Sequence, residues 1–259
     1  EKTSAVLMEL DEDIRERILH KLSAKEIAEE VEELDSDDAA DIIGELSEER
    51  QEAVMSQIEN EEHVKEIEEL LTYDEDSAGG LMAKELVKVN ENWNVLKCVR
   101  EMRSQAEEVT RVHSIYVVDN NDKLKGRLSL KDLLITSTKT AISEVYIPKV
   151  DYVNVHDDLD EVSNKMRKYD LEAIPVVDND GILLGRITID DIVDIIKEEA
   201  DKDYQLAAGL TQDVEADDSI IQLTKARLPW LFLGLLGGVG AFLSMQLFEN
   251  TFEENAVLF

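Results

Sequence analysis

Two kinds of residue pair in this chain could do chemistry. Asp37 and Asp41 are four apart, as are Asp190 and Asp194, while Asp191 and Asp194 are three apart. On a helix these spacings put two carboxylates on one face, where they repel each other unless a cation lies near. A helix N-terminus also favours acids, which accounts for Asp37 and Asp38 without any ligand. It accounts poorly for Asp41. The second kind is a hydroxyl followed three residues later by an acid, Ser129 with Asp132 and Thr188 with Asp191. That spacing suits a capping box, in which hydroxyl and carboxylate satisfy orphan donors of a helix start.

The whole chain is strongly acidic. Lys and Arg number 27 against 60 Asp and Glu, for a net charge of −33 over 259 residues. Such a surface repels nucleic acid and anionic lipid, so no nucleic-acid partner is expected, and it attracts cations. For most individual carboxylates a solvated helix face is explanation enough. The length allows two or three domains with separate cores. The lone cysteine, Cys98, excludes an intrachain disulfide framework and lies on an apolar helical face, which reads as core packing. His20, His63, His113 and His156 are scattered, with no zinc-ligand spacing and hence no soft-metal site. No nucleophile and base are paired for catalysis, so the chain does not read as an enzyme.

The elements that must position these pairs come from a duplication. Ile115-Tyr116-Val117-Val118-Asp119 and Gly126-Arg127-Leu128-Ser129 recur as Ile174-Pro175-Val176-Val177-Asp178 and Gly185-Arg186-Ile187-Thr188, at a constant offset of 59 residues (174 − 115, 185 − 126). Constant-offset similarity marks two copies of one unit. Each copy reads as a hairpin followed by a capped helix, preceded by a strand (Leu86 to Val89; Tyr152 to Val155) and an amphipathic helix (Val95 to Met102; Leu159 to Met166). Ile147-Pro148 is placed at the start of the second copy's first strand. The order is βαββα, twice.

Before the repeats, an apolar residue recurs every twelve positions at Leu10, Leu22, Leu34, Leu46, Ile58 and Leu70, often just before a helix-start residue. Ser23 to Glu26 forms a full capping box. Short helices in a superhelical array are predicted, each too short to be stable alone. Gly79-Gly80 mark a linker and not a phosphate loop. After Thr188 the helical pattern continues as a long acidic helix that Gly209 ends, and a second helix is predicted over 217–227. Leu228 to Phe248 then carries no charge and is long enough for one bilayer crossing. Pro229 suits its first turn, Trp230 an interfacial belt, and Gly234 with Gly238 a close helix contact. A buried core helix is the alternative. Lys225 and Arg227 precede the stretch while Glu249, Glu253 and Glu254 follow it, which predicts residues 1–226 on the cytoplasmic side of the cell membrane. The chain begins with Glu and stops soon after, and so reads as a piece of a longer protein.

At these residues two resemblances become specific. The duplicated units resemble a tandem pair of cystathionine-β-synthase (CBS) domains, which bind adenosine nucleotides between paired copies. That implies an ATP position at Asp132, with Ser129 and Lys131, although Ser114 stands where an aromatic is expected. The whole order, including Ala78-Gly79-Gly80-Leu81-Met82 and Leu228-Pro229-Trp230, resembles the MgtE family of magnesium channels or transporters. The fold class implied is α+β: an all-α superhelical domain (1–80), CBS units at 81–139 and 140–196, connecting helices (197–226) and one transmembrane helix (227–249). The resemblance further implies a homodimer through the CBS units and a Mg²⁺ sensor built from Asp37 and Asp41, from Asp158, Asp160 and Asp170, and from Asp191 and Asp194. The further pore helices of that family are not in this chain. An adenine-nucleotide-sensing module on another membrane protein is the competing expectation. Two like charges about 5 Å apart at an effective dielectric near 20 interact by roughly 3 kcal/mol, enough to hold acidic surfaces apart until a divalent ion enters.

Overall fold

A computed structural model describes residues 2–255 apart from 9, 11, 107–108, 110, 113, 208 and 210–219. His113 and the predicted helix start at Asp217 lie outside the described residues. The chain forms two compact units, 1–192 and 193–259.

The twelve-residue period becomes a run of short helices. They are α1 (Lys2–Met8), α2 (Glu12–Leu19), α3 (Ala24–Val31), α4 (Ser36–Gly44), α5 (Glu48–Met55) and α6 (Glu61–Leu70). Starts at 12, 24, 36, 48 and 61 follow the predicted spacing. Ser23 caps α3 as a reciprocal box with Glu26, and the Asn60 side chain caps α6. Each helix spans two to three turns, so packing must hold the array. Ile27, Val31, Ile42, Ile43, Val54 and Ile67 are its closed interior.

The repeats fold as two three-stranded sheets of the same order. In the first, β1 (Val87–Asn90) runs parallel to β2 (Ile115–Val118), which pairs antiparallel with β3 (Leu124–Leu128). In the second, β4 (Val153–Asn154), β5 (Ala173–Val177) and β6 (Leu183–Thr188) repeat that arrangement. Even the register repeats, with Val117 opposite Gly126 and Val176 opposite Gly185. The connecting helices are α7 (Val95–Gln105) and α9 (Leu159–Tyr169), and α8 (Leu130–Ile135) follows β3. Cys98 is fully buried in the first unit's core beside Met102, as its place on the apolar face predicts.

One expectation needs correction. Ile147 does not begin the second unit's first strand, which starts at Val153. It crosses instead onto the first unit, where its N–H donates to Arg127 O (2.8 Å) and its carbonyl accepts from Arg127 N (3.1 Å). Ala83 does the same on the second unit, exchanging hydrogen bonds of 2.8 and 2.9 Å with Arg186. Each lead-in segment therefore closes the edge of the other unit's sheet, which removes an exposed edge. Glycine permits this closeness: a Cβ on Gly126 would lie 2.1 Å from Ile147 O, and one on Gly185 2.6 Å from Ala83 O. The same lead-in ties to the segment just after β4, through Ala78 N to Asp157 O and Gly79 N to Val155 O, both 2.8 Å. As a result the apolar interior runs without a break from Ile42 and Ile67 through Ala78 and Met82 to Val153, Met166 and Ile187.

The long acidic helix is α10 (Ile189–Ala207), and Gly209 follows its end at φ +76, a left-handed turn that glycine adopts freely. The last helix, α11 (Ile220–Asn255), starts earlier than Pro229, which lies inside it. Proline at that point removes one backbone donor without ending the helix. Residues Thr224–Gln246 are long and apolar enough to cross a membrane, and all of them but Ala226 are exposed, against the core-helix alternative.

Gly126→Ala and Gly185→Ala are each expected to cost about 1–3 kcal/mol, because the added methyl meets backbone that cannot rotate aside. Gly44→Ala, whose methyl would find only Leu71 at 3.8 Å on a helix, is expected to be neutral or stabilising. Urea denaturation of the three variants checks the opposite signs.

Candidate metal centre

The acidic pairs are positioned by the starts of α4 and α10. Asp35 is the N-cap residue of α4 but its side chain does not cap. Glu85, from the lead-in to β1, does so in its place: its carboxylate accepts from Ser36 N (3.0 Å) and Ser36 Oγ (2.9 Å). Lys84 N donates to Ser36 Oγ at 2.9 Å, so the fully buried Ser36 is bound from both sides. An acid thus replaces the usual cap, next to Asp37 and Asp38 in the same first turn.

At the start of α10 the Asp191 carboxylate accepts from Thr188 N (3.0 Å) and Thr188 Oγ1. The predicted hydroxyl-acid box therefore forms in its acid-to-cap half. In the first unit the other half forms: Ser129 Oγ accepts from Asp132 N at 3.4 Å.

Folding brings Asp191 to the α4 acids. Burial pushes the Asp37 carboxyl well above its ordinary range, and the charges of Asp38 and Asp191 push it further. Asp38 is pushed up to about 6 by burial and then by Asp191, Asp35 and Glu85, with Arg15 opposing. Asp41, on the solvent side of α4, rises to about 7 from the protein packed around it and from Asp38, again against Arg15. Burial raises Glu85 and Asp191 too, although the Thr188 hydrogen bonds and Arg186 pull Asp191 back. Each of these groups holds a proton more tightly than it would in water, chiefly because burial disfavours the charged form, and Arg15 and Arg186 offset only part of that.

The cation on hand is Arg186. It is buried, donates through Nε to Glu85 O (2.6 Å), and lies 3.4 Å from Asp35 Oδ2. Two guanidiniums, Arg186 and an Arg15 shared with Glu45, among Asp35, Asp37, Asp38, Asp41, Glu85 and Asp191 leave net negative charge. An all-oxygen set with uncompensated charge suits a hard divalent cation, which keeps part of its water and takes one or two carboxylates from each side.

The other candidates sit elsewhere. Asp158 is the N-cap of α9 and accepts from Asp160 N at 2.9 Å, and both are exposed. Asp170 is the exposed C-cap of α9 at φ +51. Among the described residues no hydrogen bond or ion pair joins these three to the α4 acids. Asp194 is exposed on α10, in the second compact unit. Ser129, Lys131 and Asp132 occupy the start of α8, with Lys131 exposed. Sequence reasoning missed Glu85, Asp35 and Arg186 as candidates, and took Asp38 for an acid explained by its helix start. The only signal for Glu85 was an acid beside Lys84 in a segment of no periodicity.

Comparison with known proteins agrees with this architecture. Residues 1–76 match the model of the MgtE intracellular N domain, and residues 78–137 and 142–198 match that of the CBS domain. The magnesium transporter MgtE of Thermus thermophilus is 39% identical over 183 residues, covering 70% of this chain and 41% of the relative. This chain thus spans about two fifths of the length of the curated relatives it matches. A crystal structure of the soluble part of a magnesium transporter superposes with a TM-score of 0.70 at 31% identity, over 77% of this chain and 78% of that one. The cytosolic domain of the Mg²⁺ channel MgtE in complex with ATP gives 0.70 at 36% identity, over 75% and 79%. This chain belongs to the MgtE family, of which it carries the intracellular N domain and a tandem CBS pair.

Proposed function

We propose that this chain is the magnesium-sensing and gating region of a magnesium channel or transporter. The observation that supports it best is the approach of Asp37 and Asp38 on α4 to Asp191 on α10, with each charge disfavouring the next. Mg²⁺ entering between these acids offsets their repulsion and holds the helical domain on the second CBS unit. Without it the two separate, and α10 carries the change toward α11. A ligand that binds only the docked form shifts the population by its difference in affinity. Asp41 borders the same site. Asp158, Asp160, Asp170 and Asp194 are proposed as ligands of further ions, where outer surfaces of the units meet in the gated assembly.

On this reading residues 1–226 face the cytoplasm, α11 crosses the cell membrane, and two copies pair through their CBS units. The domain limits proposed are 1–80, 81–139, 140–196, 197–226 and 227–249. A second reading, adenine-nucleotide sensing, draws support from the solved relative in complex with ATP. Here Ser129, Lys131 and Asp132 would take the ribose, at the start of α8.

In Mg²⁺-free buffer, limited proteolysis of the detergent-solubilised chain is expected to cut the 71–86 connection, and Mg²⁺ is expected to protect it. Asp37→Asn combined with Asp191→Asn should protect it without Mg²⁺ and weaken calorimetric Mg²⁺ binding about tenfold, or ~1.4 kcal/mol. Equal resistance with and without Mg²⁺ contradicts the sensor reading, and protection by ATP alone favours the nucleotide reading.

A pH dependence follows from the same acids. Their folded-state pKa values lie above the ordinary carboxylate value of about 4, so the native chain binds more protons than the unfolded one and loses stability as pH rises through about 4 to 7. With a chelator present, the thermal midpoint should be higher at pH 5.5 than at pH 7.5. Adding Mg²⁺ at pH 7.5 should narrow the gap. A midpoint that rises from pH 5.5 to 7.5 in chelator contradicts it.

A further inference from the structure

The scattered histidines gave no metal-ligand spacing in sequence, yet folding gives one of them acidic neighbours. His63 on α6 lies with Glu66, one turn along, and with Glu85 from the lead-in to β1, so that one ligand atom of each falls within 4.8 Å of the others. The His63 side chain is only 7% exposed, Glu66 32%. We infer that His63, Glu66 and Glu85 form a site for a borderline divalent transition metal of the zinc and cobalt class, separate from the acids of α4 and α10.

The buried ring is what distinguishes this group from an acidic surface. Its Nε2 lies 3.4 Å from the carbonyl oxygen of Val31. A carbonyl only accepts, so in the neutral ring Nε2 carries the hydrogen and Nδ1 holds a lone pair. That is the orientation in which a backbone carbonyl fixes a metal-binding histidine. Nδ1 then faces Glu66 Oε2 at 3.9 Å, beyond hydrogen-bond length. Two acceptors aimed at each other repel unless a cation or a proton sits between them.

Glu85 completes the set from a different segment. Each of its oxygens accepts one hydrogen bond from Ser36, which holds the carboxylate in place and leaves lone pairs free. The three ligands line a cleft of about 870 Å³ between the helical domain and the first repeat unit. Glu62, Glu69 and Asn60 share its wall, and Lys84 pairs with Glu69 rather than with the proposed ligands. An ion can enter from solvent and keep one position for water.

One imidazole with two carboxylates favours a transition metal. Hard Mg²⁺ prefers oxygen throughout, whereas imidazole suits zinc, cobalt and nickel, with metal–nitrogen distances of about 2.0–2.1 Å. Closing the group to such distances asks for a rotation of the partly exposed Glu66. The bound ion would tie α6 to the segment that enters the first repeat unit. The site shares Glu85 with the acids near α4 but takes its other two ligands, His63 and Glu66, from α6, so substitutions at those two separate it from the magnesium reading.

Calorimetry of the full chain with Zn²⁺, at pH 7.5 with millimolar Mg²⁺ filling the oxygen sites, is expected to show one tight Zn²⁺ per chain. Co²⁺ in its place should give visible d–d absorption of a nitrogen-ligated, low-coordinate ion. His63→Gln and Glu66→Gln should each weaken Zn²⁺ at least tenfold, while Asp37→Asn leaves it unchanged. Glu66, at the rim, decides the matter should the buried His63→Gln chain fail to fold. No Zn²⁺ binding above the Mg²⁺ background, or Zn²⁺ binding equal to wild type in Glu66→Gln, would overturn the assignment.

Discussion

The described structure of residues 1–192 depends on a contest at one surface. Apolar packing draws α4 onto the second CBS unit, and the carboxylates of Asp37, Asp38, Glu85 and Asp191 push it away. The interior is continuous across the boundary, from Ile42 and Ile43 through Ala78 and Met82 to Val153 and Ile187. Burying a single large apolar side chain contributes about 1.5–3 kcal/mol, and one unneutralised carboxylate pair in partly buried surroundings opposes it by an amount of the same order. On the sensor reading proposed above, cation binding tips this contest by offsetting the carboxylate repulsion.

The backbone prepares this balance. Glu85 caps α4 and Thr188 positions Asp191, so the acids are fixed by the same hydrogen bonds that start their helices. Arg186 compensates part of the charge, bonded to the Glu85 carbonyl and paired with Asp35. Its own backbone is locked to Ala83 by the crossing lead-in. The strand exchange between the units thus holds in register a buried cation that borders the site.

Much of the architecture was legible in the residues. The 59-residue offset carried over into matching sheets, registers and bulges, because a period of two in strands and caps at helix starts are local features. The twelve-residue rhythm gave the helix starts for the same reason. What could not be read was which segments cross to the other unit. Ile147 and Ala83 pair with sheet edges distant in sequence, and only Gly126 and Gly185 hinted that something passes close. Asp38, Glu85 and Arg186 joined the site through those crossings, so no periodicity reported them. Pro229 was taken for a helix start where the structure has a helix already running. Asp191, which the family resemblance named as a candidate, also stood out in the residues, where a capping motif and an acidic face coincide.

The balance at this surface is tested most directly by distance measurement. Spin labels at exposed Glu52→Cys in the helical domain and Asp180→Cys in the second CBS unit, with the buried Cys98 retained, report their separation by double electron–electron resonance. In the full chain in nanodiscs, the distance distribution should be broad with chelator and collapse to one narrow peak as Mg²⁺ is added. Asp37→Asn with Asp191→Asn should give the narrow peak with no Mg²⁺ at all. A single narrow peak in the unsubstituted acids under chelator, unmoved by Mg²⁺, would show that apolar packing alone decides docking and would contradict the account.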